Sequence, residues 1–391
     1  MIDCPRIELG HLVMPLNGLW TGKKPPFKTV AVIRNTNFSK DCRLKMDDVA
    51  MIEVEERQFA PRKLQVGDII IEKSGGSDKQ PVGRPVLFDI SEGDYSFSNF
   101  TGTLRINDTS KVLPTYLQKY LYYFYLLGKT AEMQSKTTGL RNLDFKAYLR
   151  ILIPIPSIEE QQRIVDELDL LSGIIDNKNS QLRDLDALAQ SIFYEMFGDP
   201  VTNEKGWPTA KMKDVAPQKG FSGEIPEKKG GFWLLNLDMV ESQTGDILEK
   251  KLFAKADIGN STTSFSDDNV LYSKLRPYLN KVVLPDEPGY CTSELIPLAP
   301  VPNALNRYFL IYLLRSKFFV DYISGRVAGA KMPRVNMSDF RAFDVILPPL
   351  KMQQKFANRM KDIQEEKRII KDSLKDIETL LASRMDYYFN E

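Results

Sequence analysis

The sequence predicts an α+β protein with two similar domains, each a curved mixed β-sheet with short helices, joined by a two-helix coil in a pseudo-twofold arrangement. Three observations lead to this prediction. The chain of 391 residues is long enough for two or three domains. It repeats itself at a constant spacing. Each copy of the repeat ends in a long segment with the apolar periodicity of a helix.

The internal repeat consists of two short blocks that each occur twice. The block L-x-x-Y-L-x-x-Y-L that begins at Leu113 returns as L-x-x-Y-F-x-x-Y-L at Leu305. The block I-x-I-P-x-I-x-x-Q-Q that begins at Ile153 returns as V-x-L-P-x-L-x-x-Q-Q at Val345. Both are displaced by 192 residues. Because two separate blocks share one ungapped spacing, the chain is predicted to be a duplication.

The second block opens a long helix in each half of the chain. Ser157 and Glu160 form an S-x-x-E capping box directly after Pro156, which favours a helix start at that point. The segment Phe197–Pro200 predicts the end of this helix, since its glycine stops a helix and its proline cannot continue one. The second helix keeps the same register 192 residues later.

Apolar residues at alternating three- and four-residue steps form one stripe along each helix. At 1.5 Å per residue, a helix of about 40 residues is roughly 60 Å long, more than a domain of about 150 residues covers. The two stripes are therefore expected to pack against each other as an intramolecular coiled coil, although one stripe alone also fits a helix lying on its own domain. The predicted coiled-coil interface consists of Ile164, Leu168, Leu171, Ile175, Leu182, Leu185, Ile192 and Met196 in the first helix and Phe356, Met360, Ile363, Ile370, Leu374, Ile377 and Leu381 in the second.

These helices divide the chain into four predicted parts. Residues 1–156 form the first globular domain, 157–197 the first helix, 198–347 the second globular domain and 348–391 the second helix. Their net charges are +5, −6, +1 and +1, respectively. The acidic first helix is therefore a poor surface for phosphates and a better one for a protein partner.

The overall composition excludes several classes of protein. The net charge of +1 gives no indication of a polyanionic partner. The three cysteines, Cys4, Cys42 and Cys291, are far apart and form neither a disulfide framework nor a metal motif. His11 is the single histidine, which excludes sites that need two histidines. Since no apolar stretch is long enough to span a bilayer, the sequence predicts a soluble cytoplasmic protein.

Basic residues recur beside glycines and aromatic residues in both globular segments, as in Trp20–Lys24, Lys73–Gly76 and Lys228–Trp233. Asp68–Lys73 also resembles Asn269–Lys274, at an offset of 201 residues. Loops of this composition suit phosphate contacts and base-edge readout. Any one of them alone is more typical of a solvated surface, but their paired occurrence favours nucleic-acid binding.

Several of these motifs together are typical of one protein family. The stretch Pro156–Val165, the helix end Phe197–Pro200, the segment Asn269–Lys281 and the duplicated layout resemble the DNA sequence-specificity subunits of type I restriction-modification systems. The resemblance extends over essentially the whole chain. The second helix departs from the family pattern, because Lys351–Met352 stand where Glu159–Glu160 stand in the first, which weakens its predicted cap.

The resemblance implies a function in DNA recognition. It implies two target recognition domains, each reading one half of a bipartite, asymmetric site in double-stranded DNA, and an antiparallel coiled coil that sets the distance between them. It implies no catalytic activity and no cofactor in this chain. The expected partners are two methyltransferase subunits that use S-adenosylmethionine, and two restriction subunits that use ATP and Mg²⁺ can join them.

By analogy with the family, twelve residues are candidates for DNA contacts. Each of them also has a structural alternative, such as a strand corner or a cap. The candidates are Lys73, Ser74, Arg84, Asn99, Lys136 and Arg141 in the first domain and Lys274, Arg276, Lys281, Ser293, Lys331 and Arg334 in the second.

The sequence is also compatible with two other classes of function. A coiled-coil scaffold with two protein-binding heads fits the same layout without any role for DNA. Asp246, Glu249 and Lys251 faintly resemble the core of a metal-dependent nuclease. This indication is weak, because short acidic-x-basic strings are common on exposed strands. The chain carries neither the N/D-P-P-Y/F tetrapeptide nor the glycine-rich loop of an adenine methyltransferase.

Overall fold

The computed structural model describes residues 4–77, 80–137, 140–259, 261–329 and 331–390. They form two compact units. The first unit combines Met1–Asp176 with Leu374–Glu391, and the second consists of Asn177–Ser373. Both contain helices and mixed sheets, which confirms the predicted α+β class. No helix within the described ranges combines the length and the apolar character that crossing a bilayer requires.

The first elements along the chain lead up to the first long helix, whose start belongs to the first unit. The strands are β1 Arg6–Glu8, β2 Val13–Asn17, β3 Phe27–Ile33, β4 Ala50–Glu55, β5 Ile69–Glu72, β6 Ser74–Gly76, β7 Pro85–Leu87, β8 Tyr95–Phe97, β9 Thr101–Ile106, β10 Gln134–Thr137, β11 Leu140–Leu143 and β12 Leu152–Pro154. The α-helices are α1 Leu9–Leu12, α2 Glu56–Phe59, α3 Pro114–Leu126, α4 Phe145–Tyr148 and the long α5 Ile158–Phe197.

The remaining elements follow α5 along the chain. The strands are β13 Thr209–Lys211, β14 Phe232–Leu235, β15 Leu252–Phe253, β16 Thr263–Phe265, β17 Val270–Ser273, β18 Val282–Val283, β19 Gly289–Cys291, β20 Leu295–Leu298, β21 Val327–Ala328, β22 Arg334–Val335 and β23 Asp344–Ile346. The α-helices are α6 Met212–Val215, α7 Arg307–Arg315, α8 Lys317–Ser324, α9 Met337–Ala342 and the long α10 Leu350–Phe389.

The sheets of the two units follow related plans. In the first unit the strand orders are β2-β9-β5-β7, β4-β3-β8, β10-β11-β6 and β1-β12. In the second they are β18-β17-β20, β15-β14-β19-β16, β21-β22 and β13-β23. Strand β3 runs parallel to β8, and β14 runs parallel to β19, whereas the other pairs are antiparallel. Each unit therefore has one sheet of mixed direction, as the sequence predicted.

Strand β5 and strand β17 place their side chains in the same way. All four residues of each strand are buried. In β5, Ile69 and Ile71 belong to the core around α3, and Ile70 belongs to a second, smaller core. In β17, Val270 belongs to the core around α7, and Leu271 to a second core. This alternation is the period of two that a strand imposes on its side chains, so each repeat builds two cores on one strand.

The two long helices pack together antiparallel within each unit. In the first unit the start of α5 meets the end of α10, where Arg163 Nη1 donates to Tyr388 Oη at 3.2 Å. In the second unit the end of α5 meets the start of α10, where the Phe193 and Phe356 rings lie 5.6 Å apart. The packing of the two helices confirms the predicted coil, and each residue of its predicted interface is buried or half-buried.

Polar residues that interrupt the apolar stripes make ion pairs across the coil. In the first unit Arg384 pairs with Glu167, and Tyr388 Oη also donates to that carboxylate. In the second unit Lys367 Nζ lies 2.7 Å from Asp186 Oδ1. The apolar stripe is therefore interrupted where a basic side chain pairs with a carboxylate on the neighbouring helix. Such ion pairs fix the register of the two helices.

Candidate nucleic-acid interface

In the first unit, the predicted residues Lys73 and Ser74 lie beside a β-hairpin. Strand β6, which begins at Ser74, pairs with β11, and β11 pairs with β10. Asn142 is opposite Ser74, and Arg141 is opposite both Gly76 and Lys136. The backbones of Lys73, Ser74, Lys136 and Arg141 are thus close together, while the side chain of Lys136 lies outside the described part of the structure.

The Lys73 side chain is held by the protein at the base of this hairpin. Its Nζ donates to Asn17 Oδ1 at 2.9 Å and lies 4.8 Å from the centre of the Phe145 ring. Partial burial lowers the pKa of Lys73. The ammonium group therefore has a fixed position and a reduced hydration shell, both of which favour a short contact with a phosphate oxygen.

Arg84, by contrast, lies in the core. Its side chain is 6% exposed, and its Nε donates to Glu72 Oε2 at 2.7 Å. The Nη1 atom donates to the Phe38 carbonyl at 3.0 Å. Burial disfavours the cation, but the hydrogen bond and the charge of Glu72 leave the pKa of Arg84 above its usual value. The protein occupies this guanidinium with its own acceptors, and the structure gives Arg84 the geometry of a residue that holds the Phe38 segment to β5.

In the second unit, the equivalent segment again meets a hairpin. Leu275 forms a β-bridge with Arg334 at the start of β22. The Lys274 carbonyl accepts from Val335 N at 2.8 Å, and Arg276 N donates to the Pro333 carbonyl at 2.7 Å. The structure therefore brings Lys274, Arg276 and Arg334 together.

The other three predicted residues of the second unit have different surroundings. Lys331 is exposed in the loop that leads into β22, and Ser293 is exposed in the turn between β19 and β20. Lys281 Nζ donates to the Leu237 carbonyl at 2.9 Å, and burial lowers its pKa. Lys281 thus points to a protein acceptor, whereas Lys331 and Ser293 present their side chains to solvent.

The turn that follows Lys274 has a strained backbone. Arg276 and Asn280 have φ angles of 49° and 50°, in the left-handed region that residues other than glycine rarely adopt. Between them a short 3-10 turn exposes half of the Tyr278 side chain. The turn is braced by Gln243, whose Nε2 donates to the Tyr278 carbonyl at 3.0 Å. Residues held in such sparsely populated backbone conformations cluster at ligand-binding and active sites, so this turn is a candidate for ligand contact.

The Arg334 side chain is also oriented by its neighbours. Its Nη2 donates to Glu294 Oε1 at 2.9 Å, while Glu294 Oε2 is buried without a partner among the described residues. Just over half of the Arg334 side chain is exposed. A carboxylate that holds one edge of a guanidinium leaves the other edge free to form the bidentate contact by which arginine reads guanine.

The two hairpins occupy equivalent positions in the repeat. Asn142, opposite Ser74, and Arg334, opposite Leu275, are separated by the same 192 residues as the repeated sequence blocks. The repeat therefore places an amide in the first unit where it places a guanidinium in the second. The same duplication is found by comparison with known proteins. A family model described as "Type I restriction modification DNA specificity domain" matches the chain twice, over residues 35–185 and 204–379.

The chain belongs to this DNA specificity family. Curated relatives include the type I restriction enzyme EcoDI specificity subunit of Escherichia coli, which is 21% identical over 69% of this chain and 68% of its own length. The MjaVIII specificity subunit of Methanocaldococcus jannaschii is 25% identical over 68% of this chain and 69% of its own length. The putative MjaX specificity subunit of the same organism is 21% identical over 94% of this chain and 89% of its own length.

Solved structures support the family fold. A type I restriction-modification S subunit from M. genitalium matches with a TM-score of 0.57 at 12% identity, over all of this chain and 97% of that chain. A chain from a structure of the type I R-M system, described in terms of complex assembly and conformational transition, matches with a TM-score of 0.57 at 16% identity, over all of this chain and 99% of that chain. At these identities the likeness establishes the fold.

In this member of the specificity family, the weak nuclease motif is occupied by ion pairs. Glu249 Oε2 lies 2.9 Å from Lys251 Nζ, and Asp246 pairs with Lys371. Burial raises the pKa of Asp246, but the hydrogen bond and charge of Lys371 lower it further, so the net pKa is below the usual value. Among the described residues there is no group of three or more side chains that could hold a metal ion.

Two structural features of this family member were missed by sequence reasoning. One is a pair of buried glutamines, Gln161 and Gln353, at the starts of the long helices. The repeated Q-Q pair was the available signal, but the sequence does not tell which glutamine faces inward. The other is a surface pocket that includes the predicted residue Asn99 and the exposed Trp20. The Trp20–Lys24 loop was the only sequence signal for it.

Proposed function

We propose that this chain is the DNA specificity subunit of a type I restriction-modification complex and that each unit reads one half of a bipartite, asymmetric site in double-stranded DNA. The observation that carries the proposal is that Lys73 and Lys274 hold equivalent places in the two repeats, where each directly follows a buried strand and lies beside a hairpin. The double match to the DNA specificity family supports the same conclusion.

Within each unit, the proposal separates phosphate contacts from base contacts. Lys73 and Lys274 each directly follow a buried strand. Their ammonium groups are point charges, which suit contacts with phosphate oxygens. Arg334 has a carboxylate-oriented guanidinium, which suits a guanine edge. The first unit has Asn142 at the equivalent place. Because the two side chains differ in hydrogen-bonding pattern, the two half-sites are expected to differ in sequence.

The two-helix coil is proposed to set the number of unspecified base pairs between the half-sites, since half-site spacing is a geometric property of the protein. Inserting four residues after Asn179 adds about 6 Å of helix, close to two base pairs at 3.4 Å each. The expected result is a longer spacer in the methylated motif. An unchanged spacer would show that the coil does not set the distance.

The proposal assigns chemistry to partner subunits. This chain would dock two methyltransferase subunits, which use S-adenosylmethionine, and two restriction subunits that use ATP and Mg²⁺ could join the same complex. The acidic surface of α5, with nine acidic and three basic residues in 157–197, suits a protein partner better than a phosphate backbone. In this role the chain itself is not catalytic.

Methylation sequencing tests the proposed function. A host without other adenine methylation would express the methyltransferase encoded beside this chain, with and without the chain. We expect adenine methylation at one split motif, and only when the chain is present. If an active methyltransferase produced no chain-dependent methylation, the protein scaffold would become the better explanation.

A further inference from the structure

In the second unit, one loop is bonded to the strained turn of the candidate site. The loop follows strand β14 and comprises residues 236–247, and we call it the second bracing loop. Its residue Gln243 donates twice to the turn, from the backbone N to the Leu279 carbonyl at 2.9 Å and from Nε2 to the Tyr278 carbonyl at 3.0 Å. These two bonds attach the turn to the loop.

The same loop is also attached to the long helix α10. Asp246, three residues after Gln243, has its Oδ2 atom 2.5 Å from Lys371 Nζ. Both side chains of this ion pair are partly exposed. One helical turn earlier on α10, Lys367 pairs with Asp186 of α5. Neighbouring ion pairs therefore connect the loop to α10 and α10 to α5.

Hydrogen bonds within the second bracing loop keep its two attachment points at a fixed separation. Glu241 N donates to the Asp246 carbonyl at 2.8 Å, and Gly245 N donates to the Glu241 carbonyl at 3.1 Å. Gly245 has a φ angle of 66°, and a Cβ atom at this position would lie 1.9 Å from the Val282 carbonyl oxygen. The loop is thus closed on itself and packed directly against strand β18. A movement of Asp246 away from α10 would therefore also displace Gln243 and the turn.

The first unit has a loop with the same two connections. It follows strand β3 and comprises residues 34–45, and we call it the first bracing loop. Asn35 Nδ2 donates to the carbonyl of Ser74, in the strand that pairs with the candidate hairpin. Arg43 Nη1 pairs with the carboxylate of Asp176 on α5. Each unit therefore connects its candidate site to a long helix through one loop and one ion pair.

The two bracing loops also correspond in their position within the repeat. Both open with a short 3-10 turn. Cys42 and Gln243, which have left-handed φ angles of 56° and 72°, are 201 residues apart, as are Lys73 and Lys274. The charges of the ion pairs are reversed, because the cation lies on the loop in the first unit and on the helix in the second. The two repeats thus share the connection itself, although different residues form it.

We propose that these ion pairs are positioning contacts for DNA recognition. In the second unit, the pair of Asp246 and Lys371 holds the Tyr278 turn at a fixed place relative to α10. In the first unit, the pair of Arg43 and Asp176 does the same for the hairpin. A binding site needs its contact residues held within about 0.5 Å, so a small displacement of the turn alters which base edges it meets. The inference rests on the proposed function, because it assigns the two pairs to the reading of DNA.

Hydrogen exchange of the full-length chain without DNA tests the positioning directly. Lys371→Met removes the charge and keeps an unbranched side chain. Amides of residues 276–281 should then exchange about two- to fivefold faster, the range expected for the loss of an exposed ion pair. Lys371→Arg keeps the pair and should retain the original exchange. Asp246→Asn should match Lys371→Met, and the double variant should exchange no faster than either single variant.

Arg368 provides the matched control on the same helix. It lies one turn before Lys371 and is also exposed, but its ion pairs are with Glu365 and Asp372 of α10 itself. Arg368→Met should therefore leave the exchange of residues 276–281 unchanged. Urea unfolding should give similar midpoints for all of these variants, because one exposed ion pair contributes little to global stability.

Methylation sequencing connects the positioning to the reading of DNA. In the complex with the methyltransferase, Lys371→Met should relax the bases of one half-site and leave the other half-site unchanged. Asp176→Asn should relax the opposite half-site, because it breaks the ion pair of the first unit. Arg368→Met should leave both half-sites unchanged. A pair that served only the stability of the fold would not produce this half-site selectivity.

The outcomes separate this inference from the proposed function. Unchanged exchange in Lys371→Met, or an equal increase in Arg368→Met, overturns the inference even if methylation depends on the chain. Faster exchange across the whole second unit, with a lower urea midpoint, assigns the pair a purely structural role and also overturns it. Faster exchange confined to residues 276–281 supports the positioning contact, and it does so even if chain-dependent methylation is absent and the proposed function fails. If methylation depends on the chain, relaxation of both half-sites or of neither by Lys371→Met overturns the link to DNA reading.

Discussion

The buried glutamine at the start of α10 allows a quantitative prediction. Gln353 is fully buried and makes three hydrogen bonds to backbone groups. Its Nε2 donates to the carbonyls of Ala304 at 3.1 Å and Pro348 at 2.8 Å, and its Oε1 accepts from Asn306 N at 2.8 Å. Asn306 caps α7, so one side chain joins the long helix to the helix that forms the core of the second unit.

Replacing Gln353 with leucine keeps the volume but removes all three bonds. An unsatisfied buried polar group costs about 1–3 kcal/mol. The substitution leaves two carbonyls and one N–H without their partner, but partly buried groups at this junction can form hydrogen bonds with water instead. We therefore expect the free energy of unfolding of the second unit to fall by about 3 kcal/mol. For a unit of roughly 200 residues this corresponds to a fall of about 6–12 °C in Tm.

The neighbouring glutamine provides the matched control. Gln354 is exposed and donates to Asn358 Oδ1 at 2.9 Å, so Gln354→Leu should change the free energy of unfolding by about 0.5 kcal/mol or less. Urea unfolding followed by circular dichroism, together with hydrogen exchange of α7 amides, measures both variants. If Gln353→Leu cost less than about 1 kcal/mol, or no more than Gln354→Leu, the assigned role of the three bonds would be wrong.

Three further predictions concern the site and its support. Arg334→Ala should relax the specificity at one base of the methylated motif, whereas Lys274→Ala should weaken binding of all sequences alike. Methylation sequencing and DNA titration over a range of salt concentrations distinguish these two effects. Equal effects of the two substitutions would contradict the division of roles. Arg84→Ala leaves a buried carboxylate unpaired and should cost about 3–5 kcal/mol in urea unfolding, without altering the motif. A stable Arg84→Ala variant with a changed motif would instead assign this arginine to DNA. Because the hydrogen bond from Arg384 lowers the pKa of Glu167, their ion pair should stabilise the fold above the usual carboxyl pKa and be lost as the pH falls through the lowered value. Glu167→Gln should therefore reduce the loss of stability between about pH 5 and pH 3, and an unchanged acid dependence would argue against the pair.

The long helices were predictable because their signals are local. The predicted start at Ser157 and the predicted end at Phe197 agree with α5, since Ser157 Oγ accepts from Glu160 N at 3.3 Å and Gly198 adopts a positive φ of 75°. The duplication was equally visible, because the same spacing recurs in two blocks. Local capping chemistry and apolar periodicity need no knowledge of distant residues, so a single sequence contains them.

The candidate site was less accessible to sequence reasoning, because its geometry depends on residues far apart in the chain. Arg84 was predicted by analogy with the family to contact DNA, yet its buried guanidinium pairs with Glu72 of β5. The surface pocket that includes Trp20 and Asn99 is lined by four separate segments of the chain. No periodic pattern in the sequence predicts that residues so far apart in the chain come together. The roles of the predicted DNA contacts themselves remain predictions.

The antiparallel arrangement of the long helices also has a consequence for the order in which the chain folds during synthesis. The core of the first unit includes Met385, Tyr388 and Phe389, at the end of α10. The ring of Phe389 lies within 5.7 Å of the rings of Tyr116, Tyr120 and Tyr123. A nascent first unit thus waits with its tyrosines uncovered while nearly 200 further residues leave the ribosome, whereas the second unit is made from one continuous segment. We expect the part of the protein that is translated first to be completed last, and the uncovered tyrosine surface to be the place where a folding chain most needs protection.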